Sequence, residues 1–288
     1  MTTHFNSRRL LGAMAGAGLL AFSVNAHALT IDLFTTDQAF LEISAGSEGA
    51  NVGASLFSQV NDPTVPSSIL GGWRDLYLEL VGVDVAGGTP SNARTSIGVE
   101  AGVLSFNNDS GIAGYGEVVW DGVSAYDGTN VDSGVGLGGI DLTAGGTLTD
   151  FLVETISADA NWNFEVVAYT SPTQFTAVNL QANEVPSGTG PVLTKIPFSA
   201  FGLCGFSGGA VNSVNCGVDG AVDLTSLTAL QVRLNIDPAG NPATTNFDID
   251  LRLGSVTAVP EPATLTLMGL GLLAAGALGM RRRNQTGA

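Results

Sequence analysis

The side chains that could carry chemistry are unevenly distributed along this sequence. Both histidines, His4 and His27, lie within the first 28 residues. A mature protein that loses this segment would contain no imidazole, which excludes Ser-His-Asp and Cys-His catalysis and any zinc site that depends on histidine. The groups that remain for chemistry are carboxylates, hydroxyls, one lysine and a few arginines.

Two carboxylates close to the C-terminus alternate with apolar residues. Asp248 and Asp250 flank Ile249, so on a strand both would project from the same face, about 7 Å apart. A solvated strand face is the favoured interpretation. A calcium site formed by these oxygen ligands is the alternative. Similar oxygen-rich loops occur at 107–109 and 127–132, although neither has the spacing or the closing Glu of an EF-hand loop.

Two kinds of residue in this sequence, tryptophans and carboxylates, could interact with glycans. Trp73, Trp120 and Trp162 could stack on sugar rings, but their alternation with apolar residues favours the core, with at most one of them exposed. Acidic residues are plentiful, so a carboxylate pair for glycoside hydrolysis stays open as an alternative function. Arg74 beside Asp75 predicts a structural ion pair rather than a ligand clamp.

The N-terminus has the order of a secretory signal peptide. Arg8 and Arg9 precede an apolar run from Leu10 to Val24, and Ala26-His27-Ala28 supplies a small-x-small cleavage pattern. A run of about 15 apolar residues is shorter than the roughly 20 that span a bilayer. We therefore expect export by the general secretory route and cleavage after Ala28. A twin-arginine signal is the alternative, but the Phe and Lys expected after the arginine pair are missing.

The two cysteines, Cys204 and Cys216, lie in a stretch rich in Gly and Asn. In a chain exported to an oxidising compartment they predict a disulfide. Closing a loop of this size would stabilise the fold by about 3 kcal/mol in the chain-entropy model. A reactive thiol pair is the alternative, and neither a Cys-x-x-Cys spacing nor a nearby base supports it.

The C-terminus predicts a membrane-spanning helix. Residues 263–280 contain no charge, and at about 1.5 Å rise per residue they are nearly long enough to cross the hydrocarbon core. Arg281, Arg282 and Arg283 follow directly. Arginines beside a span keep that end in the cytoplasm, so the bulk of the chain would lie across the inner membrane.

A short proline-rich segment precedes this predicted helix. Pro260 and Pro262 flank Glu261, and each proline fixes φ and disfavours helix in the residue before it, so an extended, accessible segment is expected. Pro-Glu-Pro, the apolar helix and the arginine cluster together resemble the PEP-CTERM sorting signal, over residues 260–288. An ordinary C-terminal membrane anchor after a proline-rich linker is the alternative.

The resemblance implies a partner and a location. In the PEP-CTERM family an exosortase, an integral-membrane cysteine enzyme, recognises the signal, removes the tail and releases or reattaches the protein outside. The bearers are typical of Gram-negative bacteria that produce exopolysaccharide and form biofilms. We therefore expect a membrane-anchored precursor at the inner membrane and a mature protein at the cell surface or in the extracellular matrix.

Between the two signals lies a predicted ectodomain, residues 29–259, which is long enough for one large all-β domain. It contains 25 acidic residues and five basic ones, Arg74, Arg94, Lys195, Arg233 and Arg252, so its net charge is −20. Nucleic acid and anionic lipid are excluded as partners by this charge. Solubility outside the cell is the simplest role of the acidity. No cofactor other than calcium is expected.

The ectodomain sequence predicts an all-β, antiparallel sandwich. Short alternating segments are separated by Gly-rich and Asp-Gly turns, which favour antiparallel connections. One short helix is possible at 36–43. The clearest predicted strands are 76–83, 103–106, 116–120, 148–155, 162–169, 175–180, 227–236 and 247–256.

Part of the ectodomain resembles galactose-binding-like jelly rolls. The resemblance consists of Pro-Phe-Ser-Ala-Phe at 197–201 and Asp-Leu-Thr-Ser-Leu-Thr-Ala-Leu at 223–230. It covers about a third of the chain and includes no ligand-binding residue of that family. The sequence as a whole predicts an exported, non-enzymatic surface or matrix protein that binds exopolysaccharide through its sandwich. A secreted, carboxylate-based glycan-active enzyme is one alternative, and a purely structural matrix or adhesion component is another.

Overall fold

A computed structural model describes residues 28–64, 66–123, 131–159 and 162–261. Fourteen strands lie in these ranges, together with short 3-10 helices at Ser47–Gly49, Leu70–Gly72 and Phe198–Gly202. The strands are β1 (Leu29–Asp32), β2 (Gln38–Ser44), β3 (Ser55–Asn61), β4 (Trp73–Val83), β5 (Arg94–Glu100), β6 (Val103–Asn108), β7 (Ile112–Trp120), β8 (Asp150–Ala158), β9 (Asn163–Tyr169), β10 (Phe175–Gln181), β11 (Val192–Pro197), β12 (Val211–Cys216), β13 (Ala229–Ile236) and β14 (Asp250–Val259).

The strands form two seven-stranded sheets in which every paired strand is antiparallel. Sheet 1 has the order β11-β8-β14-β6-β5-β2, and β1 pairs with the end of β14. Sheet 2 has the order β12-β10-β9-β13-β7-β4-β3. The predicted antiparallel β-sandwich is therefore confirmed.

The core lies between the two sheets and follows from alternation along the strands. On β4, Leu76, Leu78 and Leu80 are fully buried, whereas Tyr77 and Glu79 lie on the other face and are partly exposed. Each buried leucine contributes about 1.5–3 kcal/mol relative to an exposed one, less the entropy lost on ordering it. The same alternation on the facing strands of sheet 1 closes one continuous apolar core.

A charged pair is buried inside this core. Arg74 Nη1 lies 3.1 Å from both carboxylate oxygens of Asp32, and neither side chain is exposed. Trp120 Nε1 also donates to Asp32, at 2.8 Å, and Gln38 Oε1 accepts from Arg74 Nε at 2.9 Å. The pair thus connects β1 and the start of β2, in sheet 1, with β4 and β7, in sheet 2.

Arg74 therefore makes the structural ion pair that its sequence context predicted, but with a different partner. Arg74 and Asp75 are consecutive residues of β4, so their side chains point to opposite faces of sheet 2. The partner of Arg74 is Asp32, from a strand 42 residues earlier in the sequence.

The helix predicted at 36–43 is wrong, because most of this segment forms β2. It pairs with β5 through Leu41 opposite Ile97 and Ile43 opposite Thr95, with an irregular register after Gln38. A helix of about two turns pays a nucleation cost that few internal hydrogen bonds offset. Pairing with β5 gives the same backbone groups partners and buries Ile43.

Candidate functional site

The last strand of the fold leads directly into the Pro-Glu-Pro segment. Val259 is the final residue of β14 and pairs with Asp150 of β8, and its carbonyl accepts a hydrogen bond from the Thr149 N–H at 2.9 Å. The next residue, Pro260, is half-buried, and Glu261 is exposed. The last strand of the domain therefore ends directly before the proline-rich segment, with no spacer between them.

The N-terminal end of the ectodomain lies beside this same junction. Leu29 pairs with Ala258 and Thr30 pairs with Thr257, so β1 runs antiparallel along the last residues of β14. Ala28, the predicted cleavage position, is exposed and immediately precedes β1. The structure thus brings together the two positions where the sequence predicts processing, although they are more than 200 residues apart in sequence.

The remaining parts of the two targeting signals lie outside the described residues. These are the signal peptide before Ala28, Pro262, the predicted helix 263–280 and the arginines Arg281, Arg282 and Arg283. Within the ranges that the structure does describe, no helix is long and apolar enough to cross a membrane.

The predicted calcium ligands do not share a strand face. β14 begins at Asp250, three residues later than predicted, and Asp248 lies before it with a φ of 64°. This left-handed conformation interrupts the period of two, so the expectation that both carboxylates project from one strand face is wrong. Both side chains are exposed, and calcium binding by this pair stays a prediction.

The other two calcium candidates have different outcomes. Asn108 is buried, and its side-chain oxygen accepts hydrogen bonds from Thr95 Oγ1 and the Gly114 N–H, so it serves the fold. The loop at 127–132 lies mostly outside the described residues. In the parts of the chain that the structure covers, no group of three or more His, Cys, Asp or Glu side chains is arranged to hold a metal.

A groove of about 330 Å³, lined by both polar and apolar residues, lies on the outer face of sheet 1. Its floor is formed by outward-facing residues of β6, β8 and β14, and its wall by the segment at 184–187. The polar residues that line it are Ser105, Asn107, Ser157, Asp159, Glu184, Ser187, Asp250 and Arg252. Hydroxyl, amide, carboxylate and guanidinium groups are therefore available along one surface.

Carboxylates dominate the electrostatics of this groove. The Asp159 carboxylate accepts a hydrogen bond from the Asp250 N–H at 2.8 Å, which joins the end of β8 to the start of β14. Burial raises the pKa of the Asp250 carboxyl, and the negative charges of Asp159, Asp248 and Asp109 raise it further. Such a surface repels polyanions and offers many acceptors to ligands rich in hydroxyl groups.

The three tryptophans do not form a sugar-stacking platform. Trp120 and Trp162 are 1% and 2% exposed, and Trp73 is half-buried. The Trp162 N–H donates to the Asp159 carbonyl at 2.9 Å. The prediction that most of them belong to the core is confirmed.

A second polar network, which the sequence reasoning missed, lies on the outer face of sheet 2. Arg233 of β13 lies between Glu165 of β9 and Glu117 of β7, at 3.0 Å and 4.0 Å. Tyr115 O–H donates to Glu117, and Tyr169 O–H donates to Gln231. The outward positions of strands predicted at 162–169 and 227–236 carry Glu165 and Arg233, so cross-strand alignment was the signal that could have found the network.

This network does not have the arrangement of a hydrolytic carboxylate pair. Glu117 and Glu165 both lie against the same guanidinium, that of Arg233. Burial raises the pKa of Glu165, and the charge of Arg233 opposes that rise. The arrangement is that of a cross-strand ion pair that aligns β7, β13 and β9.

The predicted disulfide is present. Cys204 follows the 3-10 helix at Phe198–Gly202, and Cys216 ends β12, with Cα atoms 5.5 Å apart. The bridge ties this edge strand of sheet 2 to the preceding loop.

Comparison with protein families gives a specific match at the C-terminal end of the chain. The family model described as the PEP-CTERM protein-sorting motif matches residues 258–283, so the chain carries this motif. The motif implies an exported surface protein with a membrane-anchored precursor that an exosortase processes in a Gram-negative bacterium. No curated protein matches the chain.

Among solved structures, the chain is similar to a family 11 carbohydrate-binding module from Clostridium thermocellum in complex with a β-1,3-1,4-mixed-linked tetrasaccharide. The identity is 10%, the alignment covers 81% of this chain and 95% of the module, and the TM-score is 0.34. A structural likeness at this level does not indicate a function.

Proposed function

We propose that this chain is a non-enzymatic surface or extracellular-matrix protein that an exosortase processes after export. The observation that supports the proposal is the position of the sorting motif, which starts where β14 ends. All strands of the sandwich precede Pro260, so removal of the tail leaves the fold complete. The motif can therefore act as a removable address rather than as part of the domain.

The route follows from the two ends of the chain. The signal peptide is removed after Ala28, and the helix at 263–280 holds the precursor in the inner membrane with Arg281–Arg283 in the cytoplasm. The exosortase then cuts near Pro260–Pro262. The mature domain is left at the cell surface or in the matrix, stabilised by the Cys204–Cys216 disulfide in an oxidising environment.

The ligand that we propose for the mature domain is matrix exopolysaccharide, bound in the groove on sheet 1. Asn107, Arg252 and Ser105 lie on adjacent strands and present donors and acceptors to one surface. A sugar chain can bind such a surface through its hydroxyl groups, without an aromatic platform. A ligand that is neutral or carries calcium would fit the net negative charge better than a polyanion.

The alternative function is a carboxylate-based glycan-active enzyme. Asp159, Glu184 and Asp250 line the same groove, so carboxyl groups are present where a bound glycan would lie. The Asp159 carboxylate is already hydrogen-bonded to backbone, which favours a structural role for it. The two functions differ in whether the bound glycan is cleaved.

The sorting step is tested by intact-mass measurement of the protein in the medium and in the inner membrane. We expect Pro260→Ala/Glu261→Ala/Pro262→Ala to leave the full-length precursor in the membrane, because the exosortase no longer recognises it. A matched control, Pro238→Ala/Asp219→Ala, changes one proline and one acid at exposed positions elsewhere. Normal release of the triple variant, or a released protein that keeps its arginines, would contradict the proposal.

The ligand is tested by electrophoresis of the exported protein through gels that contain exopolysaccharide extracted from the same cells. We expect retardation of the wild type and at least a threefold weaker effect for Asn107→Ala/Arg252→Ala. Asn215→Ala, on the opposite sheet, is the control and should behave as the wild type. New reducing ends after incubation, lost in Asp250→Asn, would favour the enzyme instead.

A further inference from the structure

A carboxylate without partners lies under the outer face of sheet 2. Asp75 of β4 is 0% exposed, and neither of its carboxylate oxygens has a hydrogen-bond partner. The side-chain nitrogen of Gln59 is also buried without a partner. A buried carboxylate with neither hydrogen bonds nor a counter-charge is strongly unfavourable, so a group that satisfies it is to be expected at this point.

The strand register places a second buried carboxylate beside Asp75. Gln59 of β3 lies directly opposite Asp75 on one side, and Val119 of β7 lies opposite it on the other. Asp121 lies two residues after Val119, so the alternation of β7 directs it to the same side of the sheet as Asp75. Residues in this diagonal relation have Cα atoms about 7–8 Å apart. Asp121 is also 0% exposed.

The Asp121 carboxylate is fixed in place by the backbone around it. Its oxygens accept hydrogen bonds from the N–H groups of Val123, at 3.2 Å, and Asp132, at 3.0 Å. Each carboxylate oxygen has two lone pairs, and these two hydrogen bonds from described residues use one on each oxygen. Burial and the charge of Asp121 raise the pKa of Asp75 to about 8, and the side chain of Gln59, which faces Asp75, opposes this rise without cancelling it.

The chain itself supplies no positive charge here. The ectodomain has five basic residues. Four make ion pairs elsewhere, with Asp32, Glu42, Asp150 and the Glu165–Glu117 pair. The fifth, Arg252, lines the groove on the other sheet. When both buried carboxylates are ionised, as at pH 8 and above, their counter-charge must therefore come from solution.

We propose that Asp75, Asp121 and Gln59 form a binding site for one divalent cation of the calcium class. Hard cations of this kind take carboxylate and amide oxygens as ligands, and the Gln59 amide can present its oxygen by a half-turn about its terminal bond. Two carboxylates and one amide are fewer than the six to eight oxygens that calcium takes, so water completes the shell. Affinity in the range of extracellular calcium modules follows, with Kd about 0.1–1 mM.

The test is the melting temperature of the exported protein in 10 mM CaCl₂ and in EDTA, at pH 8. We expect calcium to raise the melting temperature by about 3–10 °C. Asp75→Asn should lose this shift and should melt in EDTA at or above the wild-type temperature, because a neutral amide replaces the buried charge. Native mass spectrometry should show one calcium per wild-type chain and none in Asp75→Asn.

Asp248→Asn/Asp250→Asn is the matched control, because it removes one carboxylate from the groove on sheet 1 and a second one beside it. We expect it to keep the full calcium shift. Loss of the shift in this control, with retention in Asp75→Asn, would assign calcium to the groove and overturn the inference. A wild type that does not respond to calcium would also overturn it. If Asp75→Asn does not fold, Asp121→Asn and Gln59→Leu serve as second variants, and an unchanged shift in both would count against the site.

Discussion

Asp32 and Arg74 form an ion pair that no solvent reaches, and each is satisfied by several partners. Phe34 N–H, Trp120 Nε1 and Arg74 all donate to the Asp32 carboxylate. Burial raises the pKa of Asp32, and Arg74 and the other donors oppose that rise. Because both charges are desolvated, removal of one leaves the other uncompensated in the core.

We therefore expect Asp32→Asn to lower the free energy of unfolding by about 3–5 kcal/mol. Urea unfolding followed by tryptophan fluorescence measures the change, since Trp120 lies in the same network. Glu42→Gln is the control, because it breaks an exposed pair, Arg94–Glu42, that contributes at most about 1 kcal/mol. If Asp32→Asn and Glu42→Gln lowered the free energy of unfolding equally, burial of the Asp32–Arg74 pair would not explain its effect on stability.

Asp62 is a carboxylate whose pKa is shifted in the opposite direction. The Thr64 O–H and the N–H and O–H of Ser68 donate to it and hold its pKa well below the usual range. Because the pKa of Asp62 is lower in the folded than in the unfolded state, its ionised carboxylate stabilises the fold above about pH 4. This stabilisation is lost progressively as the pH falls below that value.

We expect the difference in melting temperature between the wild type and Asp62→Asn to be largest near pH 7 and to shrink below pH 4. Calorimetry at pH 7, 5 and 3 measures this dependence. Asp219→Asn, at an exposed position, is the control. A difference that does not change with pH would show that the charge of Asp62 does not matter.

The amino-acid sequence predicted the fold more completely than it predicted the candidate sites. Cys204 and Cys216 were predictable, because an exported chain with two cysteines has one possible pairing. Asp75 was predicted to pair with Arg74, and its actual surroundings depend on which strands lie beside β4. Gln59 and Asp121 come from two such strands, and local patterns do not specify which strands are neighbours.

At the scale of elements, eight strands were predicted from alternation, and all eight are present with shifted ends. The segments that were missed are β1, β2, β3, β5, β11 and β12. Among them, β3 and β11 are exposed along much of their length, and β12 is an edge strand. Weak alternation is expected for such strands, because their two faces do not differ strongly in burial.

The disulfide stabilises one of these edge strands. β12 pairs with one strand, β10, so its attachment to sheet 2 depends on that pairing and on the Cys204–Cys216 bridge. We expect Cys204→Ala/Cys216→Ala to lower the free energy of unfolding by about 3 kcal/mol, because the unfolded chain gains the freedom of the opened loop. Urea unfolding measures the loss, and reduction of the wild type should give a similar value. No change in either case would contradict this role.

At the scale of the whole molecule, the order of the strands makes folding depend on the end of the ectodomain. β14 is the last strand in sequence, yet it lies inside sheet 1 between β8 on one side and β6 and β1 on the other. Sheet 1 cannot be completed until the chain has emerged as far as Val259.

We expect a chain that stops after Val259 to fold and a chain that stops after Ile249 to remain unfolded. The first keeps every strand, whereas the second leaves β8, β6 and β1 without their common partner. Near-UV circular dichroism and resistance to a protease measure the difference. A folded shorter chain would contradict the central role of β14.

The antiparallel pairing of β1 with the end of β14 also determines how an anchored form of this protein would carry load. A pull on the tail acts at Val259 along the strand, nearly at right angles to the hydrogen bonds that join β14 to β8 and β1. Those bonds must then fail together in shear, rather than one at a time as in peeling. A domain held by this strand, with the first and last strands of the ectodomain paired side by side, is built to withstand tension from the material around it.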